Sequence, residues 1–286
     1  MNRPLVTLAM PVRNCEKTIA VAVRSILNQT LPDWELLVLD DGSTDSTISE
    51  VLRFKDCRIK VFHDNQSKGL PVRLNEAIRI TLGEYYARMD GDDVCYPKRL
   101  EMQVDYMRSH AEVDLLGGGL CVFGKEGRAV GKRISPANHD EICRRPYAGF
   151  PMAHPAFLGK RSWFQRWGFG TGGGACDQDL LLRSYTQSRF ANLKEILLGY
   201  REEGIVFRKC FSYRMGFCSS LVARYEGMDV LRVALGWALN ATKLSVEAFA
   251  ITSGLEYKIL EHRARPITEA EGVEWNRVWQ ICNQSQ

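Results

Sequence analysis

The sequence lacks the patterns by which several classes of protein are recognised. Its nine cysteines are scattered over 286 residues and none stands in a CxxC pair, so neither a structural zinc site nor a disulfide framework is indicated. Charged residues interrupt the most apolar region, 230–255, before it reaches the length of a membrane span. The formal net charge is only +4, and no run of lysine and arginine alternates with aromatic residues. Nucleic acid is therefore not an expected partner.

The sequence also predicts no export signal. The first apolar run, residues 5–11, has no cleavage-like segment after it and predicts a buried strand rather than a signal peptide. Scattered cysteines without a pairing pattern fit thiols that stay reduced. We therefore expect a cytoplasmic protein, which acts at the inner face of the membrane if its apolar C-terminal region lies on the lipid surface.

The first 110 residues alternate short apolar runs with segments of helical periodicity. Between the runs, hydrophobic side chains recur at helical spacing, for example at Ile19, Val23 and Ile26. This alternation predicts a parallel sheet with helices on both faces, the α/β class. The four predicted strands are residues 5–10, 36–39, 59–62 and 85–89.

The pattern changes in the rest of the chain. A helix around 100–107 and a strand at 113–123 follow, and then the alternation weakens. A glycine-rich stretch at 168–174 predicts a loop. From about residue 204 onward the periodicity predicts mostly helix.

Three polar segments each follow a predicted strand directly: PVRN at 11–14, DDGS at 40–43 and DGDD at 90–93. In an open α/β sheet, ligands bind just beyond the carboxyl ends of the strands. We therefore expect the three segments to converge on one crevice.

The DGDD segment places the carboxylates of Asp90, Asp92 and Asp93 next to one another. Their mutual repulsion raises the free energy of the folded state unless a cation relieves it. A hard divalent ion that also binds phosphate oxygens, Mn²⁺ or Mg²⁺, fits this set of ligands. A solvated polar turn is the alternative, and the neighbouring strand-end segments favour the metal site.

The segment DDGSTD at 40–45 allows two interpretations. Taken alone, it favours a turn in which Ser43 or Thr44 caps the next helix. Capping does not explain why Asp40 and Asp41 come directly before it at the ligand edge of the sheet. A carboxylate there can accept hydrogen bonds from a base N–H or a ribose hydroxyl, which favours a nucleotide ligand.

Asp177 and Asp179 follow the glycine-rich stretch. A general base for a hydroxyl must be a carboxylate or a histidine near that hydroxyl, so both are candidates. The alternative is that one or both cap a helix, and for Asp179 this interpretation is at least as well supported. A lone histidine such as His154 is more often structural than chemical.

The order of these motifs resembles that of the family 2 glycosyltransferases, which have the GT-A fold. The resemblance covers about residues 4–203, and its specificity comes from order and spacing, since several motifs are individually weak. It implies a mostly parallel sheet flanked by helices, here with a helical C-terminal segment. The matching features are PVRN at 11–14, DDGSTD at 40–45, Asn65, GL at 69–70, Asn75, DGDD at 90–93, RLEMQV at 99–104, HP at 154–155, DQDL at 177–180 and YR at 200–201.

The resemblance also implies roles for individual residues. Asp90 and Asp92 would bind the metal ion, Mn²⁺ or Mg²⁺, together with the diphosphate of a nucleotide sugar. Asp177 would be the catalytic base, with Asp179 as the alternative, and transfer would invert the anomeric carbon in a single displacement. The residues implied to bind the nucleotide are Pro11, Arg13, Asn14, Asp40, Asp41, Gly69 and Asp90.

Two positions depart from the family's pattern. Cys176 stands where the family usually has a glutamate directly before the base, which leaves Asp177 and Asp179 both open. The family often has a histidine, sometimes a metal ligand, shortly after the Tyr–Arg pair, whereas this chain has Glu202 and Glu203. A glutamate is an oxygen ligand that suits a hard cation.

These features predict a hexosyltransferase with a donor-binding half at residues 1–110 and an acceptor-binding, catalytic half at 111–204. The expected donor is a nucleotide sugar, with a UDP-sugar favoured. The expected acceptor is a hydroxyl of a glycan or of a lipid-linked molecule, in the synthesis of surface polysaccharide or glycolipid. A helical extension at 205–286 would cover the core or contact a membrane or partner.

Alternatives remain at this point. The extension's basic residues would suit an anionic lipid surface or a lipid-pyrophosphate acceptor, although an ordinary solvated face explains them as well. A nucleotidyltransferase should have a glycine-bearing phosphate loop after its first strand, and PVRN has no glycine. A non-catalytic sugar-nucleotide-binding protein would not need all three carboxylate clusters. The basic residues are Arg208, Lys209, Arg214 and Arg224.

Overall fold

One mixed sheet runs through the computed structural model, which describes residues 3–172, 174–223 and 230–284. Its strands within these ranges are β1 (Val6–Val12), β2 (Trp34–Asp40), β3 (Ile59–Phe62), β4 (Tyr85–Arg88), β5 (Val94–Cys95), β6 (Leu115–Phe123), β7 (Ala129–Arg133), β8 (Leu158–Lys160) and β9 (Phe190–Arg201). They are ordered β3-β2-β1-β4-β8-β6-β9-β5, and β7 pairs with β6.

Helices cover the sheet and continue into the C-terminal region. Those described are α1 (Ile19–Leu27), α2 (Thr47–Leu52), α3 (Leu70–Ile80), α4 (Arg99–Ser109), α5 (His139–Ile142), α6 (Arg161–Trp167), α7 (Cys176–Ser184), α8 (Phe207–Ala223), α9 (Val230–Thr252), α10 (Glu256–Arg263) and α11 (Glu269–Asn283). The predicted loop at 168–174 lies between α6 and α7, with Gly173 outside the described residues.

The predicted fold class is confirmed. The strands predicted in the first 110 residues are β1 to β4, and all their mutual pairings are parallel. Beyond β4 the sheet becomes mixed, because β8 runs antiparallel to both β4 and β6. Antiparallel strands need no crossover helix between them. The alternation of strand and helix patterns therefore weakens in the sequence where the sheet changes direction.

Strands β1 and β2 are buried along their whole length, as expected for parallel strands covered on both faces. On one face, side chains such as Leu8 and Met10 share a core with α1, α2 and α4. On the other, Ala9 belongs to the core formed with α3, α6 and α7. Helices thus occupy the faces of these strands, and the carboxyl ends are left for ligands.

The helix α11 packs against the far part of the sheet. Trp275 is fully buried, packs against the Phe123 ring at a centroid distance of 4.8 Å, and donates its indole N–H to the Gly127 carbonyl oxygen at 2.7 Å. A Cβ on Gly199 of β9 would lie 2.3 Å from the Trp275 ring, so only glycine leaves room for the indole there. The helical region predicted after residue 204 is confirmed within the described residues, and it is packed into the fold.

Helices α8 and α9 are joined by charge as well as by apolar contact. Glu247 of α9 is 2% exposed and accepts a hydrogen bond from Arg214 Nε of α8 at 2.9 Å. Arg263 at the end of α10 forms an ion pair with the same carboxylate. Among the helices that the described ranges contain, none combines the length and apolarity needed to cross a bilayer.

Candidate active site at the carboxyl ends of the strands

The carboxyl ends of β1, β2 and β4 lie side by side. β1 pairs in parallel with both neighbours, with Val12 opposite Asp40 and Ala9 opposite Arg88. The three polar segments therefore emerge at one edge of the sheet, as the sequence predicted. A cavity of about 740 Å³ opens there, and four of the predicted site residues line it. These are Pro11, Arg13, Asp90 and Asp92.

Asn14 joins the loops that follow β1 and β2. Its backbone is in the left-handed region (φ 52°), which asparagine tolerates better than most residues. Its N–H donates to Ser43 Oγ at 3.0 Å, and its side-chain oxygen accepts the Thr44 N–H at 2.9 Å. Asn14 thus holds the two loops together beside the cavity.

Asp41 holds a third loop in the same place. Its Oδ1 accepts the backbone N–H groups of Lys68 at 2.6 Å and Gly69 at 2.9 Å. Gly69 has φ +89°, a conformation that a side chain would strain. Arg13 reaches this loop by donating to Ser67 Oγ at 2.7 Å. The Asp41 carboxylate therefore fixes the loop that supports the Arg13 side chain.

Asp40 lies deeper than Asp41. Its side chain is 2% exposed and accepts the Ser43 N–H at 3.1 Å. Asn14, Asp40, Asp41 and Gly69 therefore border the cavity through the loops they fix, and none of these four described residues is part of its lining.

Capping of the second helix by Ser43 or Thr44, the interpretation that this segment favours when taken alone, is wrong. The N-cap of α2 is Ser46, and no side chain caps the helix from that position. Asp45 instead accepts the Thr47 N–H at 3.0 Å and so satisfies one of the free donors of the first turn. The reason is that the loop after β2 extends to Ser46, so that the helix begins at Thr47. The Ser43 hydroxyl instead accepts a hydrogen bond from the Asn14 backbone N–H.

The DGDD segment brings three carboxylates together at the end of β4. Asp90, Asp92 and Asp93 each contribute an oxygen, and these oxygens lie within 4.8 Å of one another. Gly91 permits the tight turn, because a Cβ there would come 2.8 Å from the Val12 side chain. Asp90 and Asp92 line the cavity, whereas Asp93 is buried at 1% exposure.

The electrostatics of this cluster fit a divalent cation. Burial and the Asp90 charge raise the pKa of Asp92, and burial with both neighbouring carboxylates raises the pKa of Asp93 well above its ordinary value. Arg201 donates its N–H to Asp93 Oδ1 at 3.0 Å, while the buried Oδ2 has no hydrogen-bond partner among the described residues. A cation would relieve both the repulsion and the unpaired oxygen, and the ligand set is entirely oxygen.

Arg88 connects the acidic cluster to the second half of the molecule. It is buried and forms an ion pair with Asp90. Its strand is fixed by Arg99, whose guanidinium donates to the Arg88 carbonyl oxygen at 2.7 Å and to that of Pro155 at 3.1 Å. The RLEMQV motif thus contributes a buried clamp that holds the end of β4 in place.

Asp177 lies in the first turn of α7 and is 8% exposed. Burial raises its pKa, and hydrogen bonds from Gln178 together with the Arg88 charge offset part of that rise. The Tyr213 hydroxyl donates to Asp177 Oδ2 at 3.3 Å. A raised carboxyl pKa is closer to neutral pH, where a general base works best.

Asp179 has a different environment. It accepts a hydrogen bond from Arg183 Nε at 2.8 Å, and Arg183 in turn donates to the Trp167 carbonyl oxygen at 2.6 Å. This pair holds the start of the glycine-rich loop. The N-cap position of α7 is Ala175, without a side-chain cap, and Asp177 and Asp179 both lie in the first turn, where their charges suit the helix N-terminus.

Two neighbouring residues are kept neutral. Burial and the Asp177 charge raise the pKa of the Cys176 thiol to about 12, so the thiol does not replace the carboxylate of the family's glutamate. Burial and Arg88 lower the pKa of His154 well below its ordinary value. His154 packs between Phe157 and Phe169, at ring distances of 5.2 and 5.3 Å, which fits a structural role.

The remaining wall of the cavity comes from the end of β9 and from the extension. Glu202 and Glu203 both line it, and both have cationic partners, Arg133 and Arg201. The extension contributes Val206, Lys209, Cys210 and Arg263.

Sequence reasoning missed Arg88 and the contribution of α8. A basic residue at the end of an otherwise apolar strand was a usable signal for Arg88. The contact between α8 and Asp177 has no sequence signal, because it depends on how a distant helix packs.

Comparison with known proteins identifies the family. The family model described as Glycosyl transferase family 2 matches residues 7–173. The chain belongs to this family. It is a glycosyltransferase that uses a nucleotide sugar, as the motif order predicted, and this assignment removes the support for a nucleotidyltransferase.

Relatives and solved structures agree with the assignment. EpsE of Bacillus subtilis, whose name places it among the glycosyltransferases, is 30% identical over 279 residues, which are 94% of this chain and 97% of EpsE. WfgD of Escherichia coli, named UDP-Glc:alpha-D-GlcNAc-diphosphoundecaprenol beta-1,3-glucosyltransferase, is 36% identical over 136 residues, 48% of this chain and 53% of WfgD. The mannosyltransferase PcManGT of Pyrobaculum calidifontis, solved with GDP-Man and Mn²⁺, has a TM-score of 0.62 at 16% identity, with 99% of this chain and 86% of that chain covered. That last likeness shows the fold.

Replacing Asp92 by asparagine should stabilise the protein when divalent ions are absent. The change removes one carboxylate from a repelling cluster, and we expect the free energy of unfolding in EDTA to rise by about 1 kcal/mol. MnCl₂ should raise the Tm of the wild type and have little effect on Asp92→Asn. Urea unfolding and thermal melts measure both effects.

The exposed Asp140 provides the control, since Asp140→Asn should change neither quantity. A wild-type Tm that does not respond to Mn²⁺ or Mg²⁺ would contradict the metal site.

Proposed function

We propose that the chain is an inverting, metal-dependent hexosyltransferase that moves a sugar from a UDP-sugar to a hydroxyl of a glycan or lipid-linked acceptor in surface polysaccharide or glycolipid synthesis. The observation that carries the proposal is the single cavity lined by Pro11 and Arg13 from the end of β1 and by Asp90 and Asp92 from the end of β4. The name of WfgD supports the donor and the acceptor class, because it describes UDP-Glc and a diphosphate-linked lipid.

The donor-binding half in this proposal is residues 1–110, and the acceptor-binding, catalytic half is 111–204. In the first half, Arg13 reaches the cavity directly, while the other polar residues shape the loops around it. The proposed nucleotide-binding residues are Pro11, Arg13, Asn14, Asp40, Asp41, Gly69 and Asp90.

Asp90 and Asp92 hold Mn²⁺ or Mg²⁺ through their carboxylate oxygens in this proposal. The bound ion would neutralise the charge that develops on the departing diphosphate. The Mn²⁺ in the PcManGT complex supports the choice of cation. Arg13, Arg201 and Lys209 line the same cavity and add positive charge near the diphosphate.

Asp177 is the proposed base. It accepts the proton of the acceptor hydroxyl while the hydroxyl oxygen forms a bond to the anomeric carbon. The bond from that carbon to the diphosphate oxygen breaks, and its electron pair leaves with the nucleoside diphosphate. One displacement inverts the anomeric configuration. Asp177 is preferred to Asp179 because the Asp179 carboxylate is engaged with Arg183 in holding the glycine-rich loop.

Nucleotide sugars should stabilise the protein only when a divalent ion is present, and UDP-sugars should raise the Tm more than GDP-sugars do. The reason is that a ligand bound to the folded state shifts the unfolding equilibrium by mass action. Differential scanning fluorimetry with and without MnCl₂ measures the ranking, and uridine, which has no diphosphate, is the control. A larger shift with GDP-mannose than with any UDP-sugar would show that the proposed nucleotide is wrong.

Replacing Asp177 by asparagine should lower kcat by about 10²- to 10⁴-fold, the usual contribution of a general base. Donor affinity should stay unchanged, because Asp177 does not line the cavity of Asp90 and Asp92. Steady-state release of nucleoside diphosphate and isothermal titration with the donor measure the two quantities. Asp179→Asn is the matched variant and should retain most of its kcat. If Asp179→Asn loses kcat while Asp177→Asn retains it, the base is Asp179.

We further propose that the extension, residues 205–286, brings a cytoplasmic chain to the inner face of the membrane. α9 buries Gly236, Asn240 and Glu247 against its neighbours and leaves an outer apolar face exposed. Leu231 and Phe249 on that face are 69% and 66% exposed. The other members of this outer face are Leu235, Leu239 and Val246.

Charge on these helices favours an anionic surface. Arg208 and Lys209 of α8 and Lys243 of α9 are exposed, and the acidic residue of α9, Glu247, is buried in its ion pairs. An apolar helix face with basic residues nearby is typical of binding to anionic lipid. Arg224, which the sequence also suggested, lies outside the described residues.

Vesicles containing phosphatidylglycerol should sediment with the wild-type protein more strongly than vesicles of phosphatidylcholine alone. The double variant Leu231→Gln/Phe249→Gln should lose most of this binding, because it removes two of the most exposed apolar side chains of α9. Leu52→Gln/Val273→Gln changes exposed apolar residues elsewhere and should bind like the wild type. Equal binding by both double variants would contradict the proposed face.

A further inference from the structure

The beginning of α8 borders the catalytic site. Lys209 and Cys210 in its first turn line the cavity that contains Asp90 and Asp92. Tyr213 lies four residues after Lys209, so the two side chains share one face of the helix. This face of α8 is directed toward the site, although α8 lies beyond the region 7–173 that the family model matches.

The loop before α7 is shaped to receive α8. A Cβ on Gly174 would lie 2.6 Å from the Ser212 carbonyl oxygen and 2.7 Å from its carbonyl carbon. These are backbone atoms of a helix, which cannot turn aside as a side chain can. Glycine at 174 therefore allows α8 to approach the start of the helix that carries Asp177.

At this contact, Tyr213 donates a hydrogen bond to Asp177 Oδ2 at 3.3 Å. Tyr213 as a whole is 38% exposed, but this hydrogen bond directs its hydroxyl to the Asp177 carboxylate, which is 8% exposed. Burial and the Asp177 charge raise the pKa of the Tyr213 hydroxyl well above its ordinary value. The hydroxyl therefore stays protonated and donates to the ionised carboxylate.

We propose that Tyr213 is a positioning residue that holds the Asp177 carboxylate, through Oδ2, in the orientation in which it takes the proton of the acceptor hydroxyl. This inference rests on the proposed role of Asp177 as the base. It makes the C-terminal extension a part of the catalytic arrangement, through a residue that does not itself exchange a proton with the substrate.

The test is Tyr213→Phe, which removes the hydroxyl and keeps the ring. We expect kcat to fall about 10-fold, a size typical of losing one hydrogen bond to a charged group, with donor KM and UDP affinity unchanged. The matched control is Tyr257→Phe on α10, where the tyrosine is 51% exposed. Nucleoside diphosphate release is measured with the UDP-sugar that gives the largest thermal shift and a synthetic GlcNAc-diphosphate lipid.

The pH profile of kcat separates positioning from a structural role. The charged or titratable groups around Asp177 are Arg88 of β4, Cys176 of α7 and Tyr213 of α8. Removing a donor to the ionised carboxylate raises the pKa of Asp177, so activity should be lost at higher pH on the acid side than in the wild type. If the substitution only unfolded part of the protein, kcat would fall at every pH, and the acid-side limb of the pH profile would stay at the same pH.

Each outcome decides the question. A kcat equal to that of Tyr257→Phe, or higher than that of the wild type, overturns the inference, and so does an unshifted acid limb. If Asp177→Asn is inactive while Tyr213→Phe is fully active, only the positioning role fails. If Asp177→Asn keeps its turnover, the proposed base is wrong, and the role of Tyr213 fails with it.

Discussion

The parallel pairing of β1 with β2 on one side and β4 on the other is the constraint on which the rest of the structure depends. Each of these strands is buried by helices on both faces, so their polar backbone groups are used within the sheet. Side chains that bind ligands are then confined to the strand ends. The register that places Val12 beside Asp40 also sets the distance between the loops that Asn14 and Asp41 connect. The position of the acidic cluster at the end of β4 is set in the same way, by the pairing of β4 with β1.

Much of this arrangement could be predicted because its signals are local. Apolar runs and helical periodicity located β1 to β4 and the helices between them, and the strand-end rule placed Asp90 and Asp92 at the cavity. The structure of the loop after β2 was harder to predict, because its hydrogen bonds come from another part of the chain. Ser43 has a side chain suited to capping, but its hydroxyl oxygen accepts a hydrogen bond from the Asn14 backbone N–H instead. A pattern read along one segment cannot show that competition.

The region that carries the two candidate bases was less predictable for the same reason. Asp177 and Asp179 are two residues apart on one helix, and only the family resemblance favoured Asp177, while the residues themselves left both candidates open. Their environments differ through distant contacts: Arg183 and the Trp167 carbonyl engage one, and a helix 36 positions away reaches the other. The antiparallel strand β8 was also missed, because three residues are too few to show a period.

The helices of the extension are bound to one another by contacts that are costly to break. Glu247 is almost completely buried between Arg214 and Arg263, and removing either partner would leave a buried carboxylate with less compensation. α8 is therefore held firmly by α9 and α10 while its first turns face the cavity and Asp177. The same pair of helices presents the outer apolar face of α9. In the proposed function, attachment to a surface through that face and orientation of the proposed base would therefore both depend on how α8 packs against α9 and α10.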